Sequence, residues 1–112
     1  MALDNYWMLN GEVYYLDFEP KLHLCGGILS GYGSGSFRGE VYAELIEEKT
    51  GYSLYQDLNQ EQIKDIADKL EKVQYDEVEE TGIYQEEFED LKRMFREYSK
   101  IDRIELHAWY WR

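Results

Sequence analysis

In NYWMLNGEVYYLDF, residues 5–18, aromatic and aliphatic residues close in from both sides on Asn10-Gly11. Asn-Gly accepts the positive φ that a type I′ turn needs at both central positions, so the segment predicts a tight β-hairpin. A two-residue loop sets the register. Leu9 faces Glu12, Met8 faces Val13, Trp7 faces Tyr14 and Tyr6 faces Tyr15. Alternation then puts Trp7, Leu9, Tyr14, Leu16 and Phe18 on one face, and Tyr6, Met8, Val13 and Tyr15 on the other. The first set is the better core face.

The remaining elements must close on that hairpin. Pro20, the only proline, ends the second strand because it cannot donate to a ladder. KLHLC, residues 21–25, alternates again and predicts a third, shorter strand. A helix is expected from Arg38 to Thr50, with Phe37, Val41 and Leu45 at four-residue spacing, Ser36 as N-cap and Gly51 as the stop. A second helix starts at Asn59, which with Gln62 makes a capping box, and carries Ile63, Ile66, Ala67, Leu70 and Val73 on one stripe. GIYQEEFEDLKRMFREYSKI, residues 82–101, predicts a third helix with Tyr84, Phe88, Leu91, Phe95 and Tyr98 inward. Its acids come early and most of its bases late, which suits the helix dipole. DRIELHAWYWR, residues 102–112, alternates as a strand, with Ile104, Leu106, Ala108 and Tyr110 on one face and Glu105, His107, Trp109 and Trp111 on the other. The order βββαααβ predicts an α+β fold: an antiparallel sheet of about four strands with three helices packed on one face. Residues 1–112 read as a single domain, which at this length buries about 65% of its unfolded surface.

Charge narrows the function classes. Twenty-four acidic residues stand against 12 basic ones, a net charge of −12. Direct binding to nucleic acid or to an anionic membrane needs the opposite sign. A basic protein is the partner that such a surface attracts. The absence of an apolar leader or a 20-residue apolar run, together with the single Cys25, points to a cytoplasmic protein without a disulfide framework.

CGGILSGYGSGSFRGE, residues 25–40, holds six glycines and three serines. A Gly-rich loop entering a helix is the geometry that binds phosphate, since free N–H groups and the positive helix end converge there. Gly33, Ser34, Gly35, Ser36 and Arg38 form the candidate anion site. The known phosphate loops do not fit. The kinase pattern G-x-G-x-x-G-x-V fails because the last glycine comes one residue late and a helix follows. The P-loop fails for want of Gly-Lys-Ser/Thr. The alternatives are a structural bend, in which glycines supply conformational freedom, and a mobile recognition loop.

Other chemistry is sparse. His23, Cys25 and His107 are the only His and Cys residues. They would meet only if the last strand lay beside the third. The set falls short of zinc-ligand spacing, so no metal and no cofactor is expected. A Cys25 nucleophile with a histidine base is a weaker alternative to a packed thiol. No carboxylate is singled out as a general acid.

Two surface anomalies remain. Residues 75–90 hold eight carboxylates and no base. The start of the third helix accounts for four of them, leaving Asp76, Glu77, Glu79 and Glu80 without a local reason. Aromatic residues make up 16% of the chain. If the last strand joins the hairpin, Trp109 and Trp111 share the outer sheet face with Tyr6 and Tyr15. Tyr and Trp on an uncovered face are the residue types of interface hot spots. The reading is a small acidic non-catalytic protein-binding domain, more in keeping with an inhibitor, immunity protein or anti-defence protein than with an enzyme. That likeness is one of composition and not of motif. A small-molecule or anion-binding protein or enzyme using residues 26–38 is the second reading. A homodimer through the outer sheet face is the third.

Overall fold

The computed structural model describes residues 2–28 and 35–111, the side chain of Trp111 excepted. Its elements are β1 (Ala2–Leu9), β2 (Glu12–Val13), β3 (Ser36–Phe37), α1 (Ala43–Thr50), α2 (Gln60–Glu71), α3 (Gln85–Ser99) and β4 (Glu105–Trp111). The fold is α+β, with a four-stranded antiparallel sheet and the three helices on one face.

The Asn-Gly turn forms as its sequence dictates. Asn10 and Gly11 have φ of 53° and 82°, and Met8 pairs with Val13 and Leu9 with Glu12. The second arm is much shorter than expected. One more rung, from the Tyr14 N–H to the Trp7 carbonyl at 2.9 Å, closes the ladder. Residues 5 and 6 of β1 then pair with Phe37 and Ser36, so Tyr6 faces Ser36 and not Tyr15. β2 and β3 share one edge of β1, and β4 takes the other along its whole length, from Ala2–Trp111 to Met8–Glu105. The chain leaves the sheet after Tyr14 because a better partner lies elsewhere: the Leu16 N–H donates to the Tyr98 hydroxyl of α3 at 2.8 Å.

Residues 21–25 form no strand, which corrects the expected third one. Their alternation is real, since Leu22 and Leu24 are buried and Lys21, His23 and Cys25 are exposed. Their amides are claimed by side chains instead of a ladder. The His23 N–H donates to Asp90 at 2.8 Å and the Cys25 N–H to the Tyr42 hydroxyl at 3.0 Å. The strand role passes to Ser36–Phe37, from which the Arg38 N–H reaches back to the Cys25 carbonyl at 2.9 Å while Gly26 bridges Phe37.

α1 therefore starts at Ala43, five residues later than expected, after a 3-10 turn at Gly39–Val41. Gly51 ends it with φ 84°. In α2 the capping box is present: the Gln62 N–H donates to Asn59 and the Asn59 N–H to the Gln62 side chain, each at 2.9 Å. In α3 the stripe Phe88, Leu91, Met94, Phe95 and Tyr98 is buried. Tyr84 is not part of it. It sits at the N-cap, 78% exposed.

The core lies between sheet and helices. Leu3, Trp7, Leu106 and Phe37 meet the apolar stripes of α1, α2 and α3. The Trp7 indole stacks on the Tyr98 ring at 4.0 Å with 3° between planes, and Phe95 meets its edge at 5.6 Å. Of the residues expected to be buried, Trp7, Phe18, Ile104 and Leu106 are so, while Tyr14 and Leu16 pack half-covered against the core. Among the described residues, no helix is long and apolar enough to cross a membrane.

Candidate interaction surface

The register of β1 and β4 fixes what the outer sheet face carries. Asp4 lies opposite Trp109, Tyr6 opposite His107 and Met8 opposite Glu105. Directly opposed residues of an antiparallel pair point the same way, so all six belong to the face turned from the helices. The expected sharing of that face by Tyr6 and Trp109 therefore holds. Tyr6 is half-buried and its ring leans on His107 at 5.7 Å. Trp109 is 53% exposed. Trp111 lies in β4, with its side chain outside the described residues. Tyr15 is 62% exposed, beyond the end of β2 and opposite no strand residue.

Part of the face is covered. The Asp4 side chain is fully buried, and Arg38 reaches it with Nε 2.8 Å from Oδ1. Burial raises the Asp4 carboxyl above its ordinary value, and the Arg38 guanidinium opposes that shift. Arg38 also meets Glu40 at 3.3 Å. The candidate anion site thus has a different geometry from the one expected. Gly35 and Ser36 are buried, Ser36 lies in β3, and six residues separate it from the start of α1. Gly33 and Ser34 lie outside the described residues.

Two glycines of this stretch are required by packing. A Cβ on Gly39 would fall 1.7 Å from Oδ1 of the buried Asn5, and one on Gly27 would fall 2.6 Å from Oγ of Ser36. Asn5 in turn ties three segments together, since its Nδ2 donates to the Leu54 carbonyl at 2.8 Å and to the His107 carbonyl at 3.2 Å.

The acidic connection lies elsewhere. Asp76 and Glu77 sit in a 3-10 turn at Tyr75–Glu77, and Glu79 and Glu80 in another at Glu79–Thr81, both between α2 and α3 and so in the helical layer. Glu77 has a local role after all: its carboxylate accepts the Gln74 N–H at 2.7 Å. Glu80 joins Glu44 and Glu48 of α1 around a cleft of about 310 Å³. The four acids and the aromatic face therefore belong to different layers of the molecule.

The carboxylates beside the aromatics are two that the sequence did not single out. Glu105 lies 3.1 Å from the His107 ring, and Asp57 lies 3.7 Å from its other nitrogen. Asp57 Oδ1 also accepts the Ala108 N–H at 3.0 Å. On the inner side of the same strand end, Tyr110 is 54% exposed and meets the Tyr55 ring edge-on at 5.8 Å. The alternation of β4 had assigned Tyr110 to the core face. That assignment gives the correct side, but the helices do not extend far enough to cover it. Asp57 carried no signal, because it acts through a linker that only the fold brings against β4.

His107 is far from the other two candidate ligands in the sheet order, since β1 and β3 intervene between β4 and residues 25–26. His23 turns its Nδ1 to Asp90 at 2.8 Å and to Glu86 at 3.1 Å. The Cys25 thiol approaches Glu87 at 3.9 Å. Glu87 also accepts a short hydrogen bond from Tyr42. Burial pushes the Tyr42 hydroxyl well above the usual phenol range, and this bond adds to the shift. A carboxylate beside a thiol is the reverse of the electropositive setting that activates cysteine. Among the described residues, no group of three His, Cys, Asp or Glu side chains is placed to hold a metal ion. Compared with protein-family models, curated proteins and solved structures, the chain shows no match.

Proposed function

We propose that this chain is a small, acidic, non-catalytic protein-binding domain that docks a basic partner on the open end of β4. The observation that carries this reading is the exposure of Trp109 and Tyr110 on the two sides of one strand end, with Tyr55 beside them and Asp57 and Glu105 at their border. Large rings left half in water are the usual anchors of an interface. Covering about 100 Å² of one such ring is worth roughly 2–3 kcal/mol. Carboxylates around that centre, on a chain of net charge −12, favour a partner rich in Lys and Arg and speed its approach. Neutralising a basic enzyme, as an inhibitor or immunity protein does, is a role of this kind.

The test is kinetic. The full chain is immobilised, proteins of the source cell are captured, and the retained partner is purified and rebound. The expected partner is basic and elutes with salt. Trp109→Ala or Tyr110→Ala should speed its release by roughly 30-fold, the equivalent of about 2 kcal/mol. Replacing Asp57 and Glu105 by amides should slow association and flatten its salt dependence. Amide replacement of Asp76, Glu77, Glu79 and Glu80 should weaken long-range steering alone and leave release unchanged. A partner held equally by every variant would refute the reading.

A further inference from the structure

From the backbone of β4 we infer that the partner is taken up as an added β-strand. This rests on the protein-binding reading above and specifies how the contact is made. β4 has two edges, and β1 fills one of them. On the other, Leu106 exchanges both of its hydrogen bonds with Leu58, at 2.8 and 2.9 Å, and the Ala108 N–H donates to Asp57. N–H and C=O groups of alternate residues in an antiparallel strand point to the same edge. Because Leu106 and Ala108 present theirs outward, Tyr110 does too. Among the described residues, neither the Ala108 carbonyl nor the Tyr110 N–H and C=O has a partner. The first half of this edge is closed by the segment before α2, and among the described residues nothing closes the second half.

Sheet edges of this kind are ordinarily blunted by lysine, proline, a bulge or a covering loop. Residues 108–111 carry no lysine and no proline. The side chains on either side of the open groups are the half-exposed rings of Trp109 and Tyr110. An extended guest lying along this edge meets backbone donors and acceptors in front, Trp109 above and the Tyr110–Tyr55 pair below. Its alternating side chains then rest on an aromatic wall to one side and approach Asp57 and Glu105 as the strand runs toward Leu106. The segment that fits alternates apolar residues with Lys or Arg. A second copy of this chain fits worse, because it brings another net charge of −12 to the same edge.

The probe is the hexapeptide acetyl-Lys-Val-Lys-Val-Lys-Val-amide, titrated into the 15N-labelled full chain to about 2 mM, a range that reads weak affinities. Two isomers of it are N-methylated at alternate residues, so that each has one hydrogen-bonding edge blocked. The amides of Ala108, Trp109 and Tyr110 should shift together, and exchange of the Tyr110 N–H should slow about fivefold at saturation. One methylated isomer should bind like the parent peptide and the other roughly tenfold more weakly, as loss of backbone hydrogen bonds predicts. A Glu-Val peptide of the same length should produce no shift. Strand addition is overturned if shifts centre on residues 44–48 or 76–80, if both isomers bind like the parent, or if nothing shifts. It is equally overturned if the chain dimerises without peptide and already protects Tyr110, since the occupant is then a second copy. The protein-binding reading is judged separately, by release rates of the Trp109 and Tyr110 variants from the captured partner.

Discussion

Gly39→Ala should be among the most damaging single-methyl changes in this protein, although it lies in a stretch that looks like a pliable loop. The backbone of Gly39 does not need a positive φ, so conformational strain is not the cause. The cause is space. The new Cβ falls 1.7 Å from Asn5 Oδ1, 2.9 Å from Asn5 Cγ and 3.2 Å from Leu3 Cδ2. Asn5 is fully buried and cannot swing aside without releasing the Leu54 and His107 carbonyls. The Leu54 carbonyl left unpaired costs about 1–3 kcal/mol, the His107 carbonyl keeps its ladder bond to Tyr6, and overpacking adds roughly 1–3 kcal/mol more. The sum, about 2–6 kcal/mol, is a large share of the roughly 5–15 kcal/mol that stabilises a domain. Urea unfolding followed by tryptophan fluorescence reads it, with a midpoint lowered by about 2 M at a slope near 1.5–2 kcal/mol/M. Asn5→Ala alone should cost about 1–3 kcal/mol, chiefly through the Leu54 carbonyl. In Asn5→Ala/Gly39→Ala the clash partner is gone, so the double variant should be at least about 2 kcal/mol more stable than the two single losses added together. Additive losses, or a Gly39→Ala variant within about 0.5 kcal/mol of the parent, would refute the packing argument.

Two further measurements test the core and the helix ends. Burial holds the Tyr98 hydroxyl well above the ordinary phenol range, and the folded state therefore favours its neutral form. Its contribution is fully present below the unfolded value of about 10 and is lost as pH rises beyond it, so stability should fall above pH 10 and fall less steeply in Tyr98→Phe. Phenolate absorbance in alkaline titration should show Tyr42 and Tyr98 ionising only as the protein unfolds; normal titration of every tyrosine in the folded state would contradict this. Asn59→Ala removes the acceptor for the Gln62 N–H and should cost about 1 kcal/mol, measured by the same urea transition.

The elements that were legible in the sequence are those whose signal is local. Asn10-Gly11 dictated a turn and a register because both residues accept positive φ, and no distant contact was needed to choose it. Asn59 and Gln62 marked the start of α2 because a capping box is closed within four residues. The long periodic runs of α3 and β4 read correctly for the same reason, as did Trp109 on the outer face. Tertiary structure decided the rest. Residues 21–25 and 36–37 both have strand-like sequence, and only the latter reach β1, because the Asp90 carboxylate and the Tyr42 hydroxyl capture the amides of the former. A two-residue strand has no periodicity to read. Tyr84 continues the α3 stripe in sequence, yet at the N-cap it has no element opposite it to pack against. Asp57 and Tyr110 belong to the candidate surface through where α2's approach leaves β4 uncovered, a property of two segments some fifty residues apart. Local hydrogen-bonding geometry is written in neighbouring residues, whereas competition between distant partners for the same backbone edge is settled only when the chain has closed on itself.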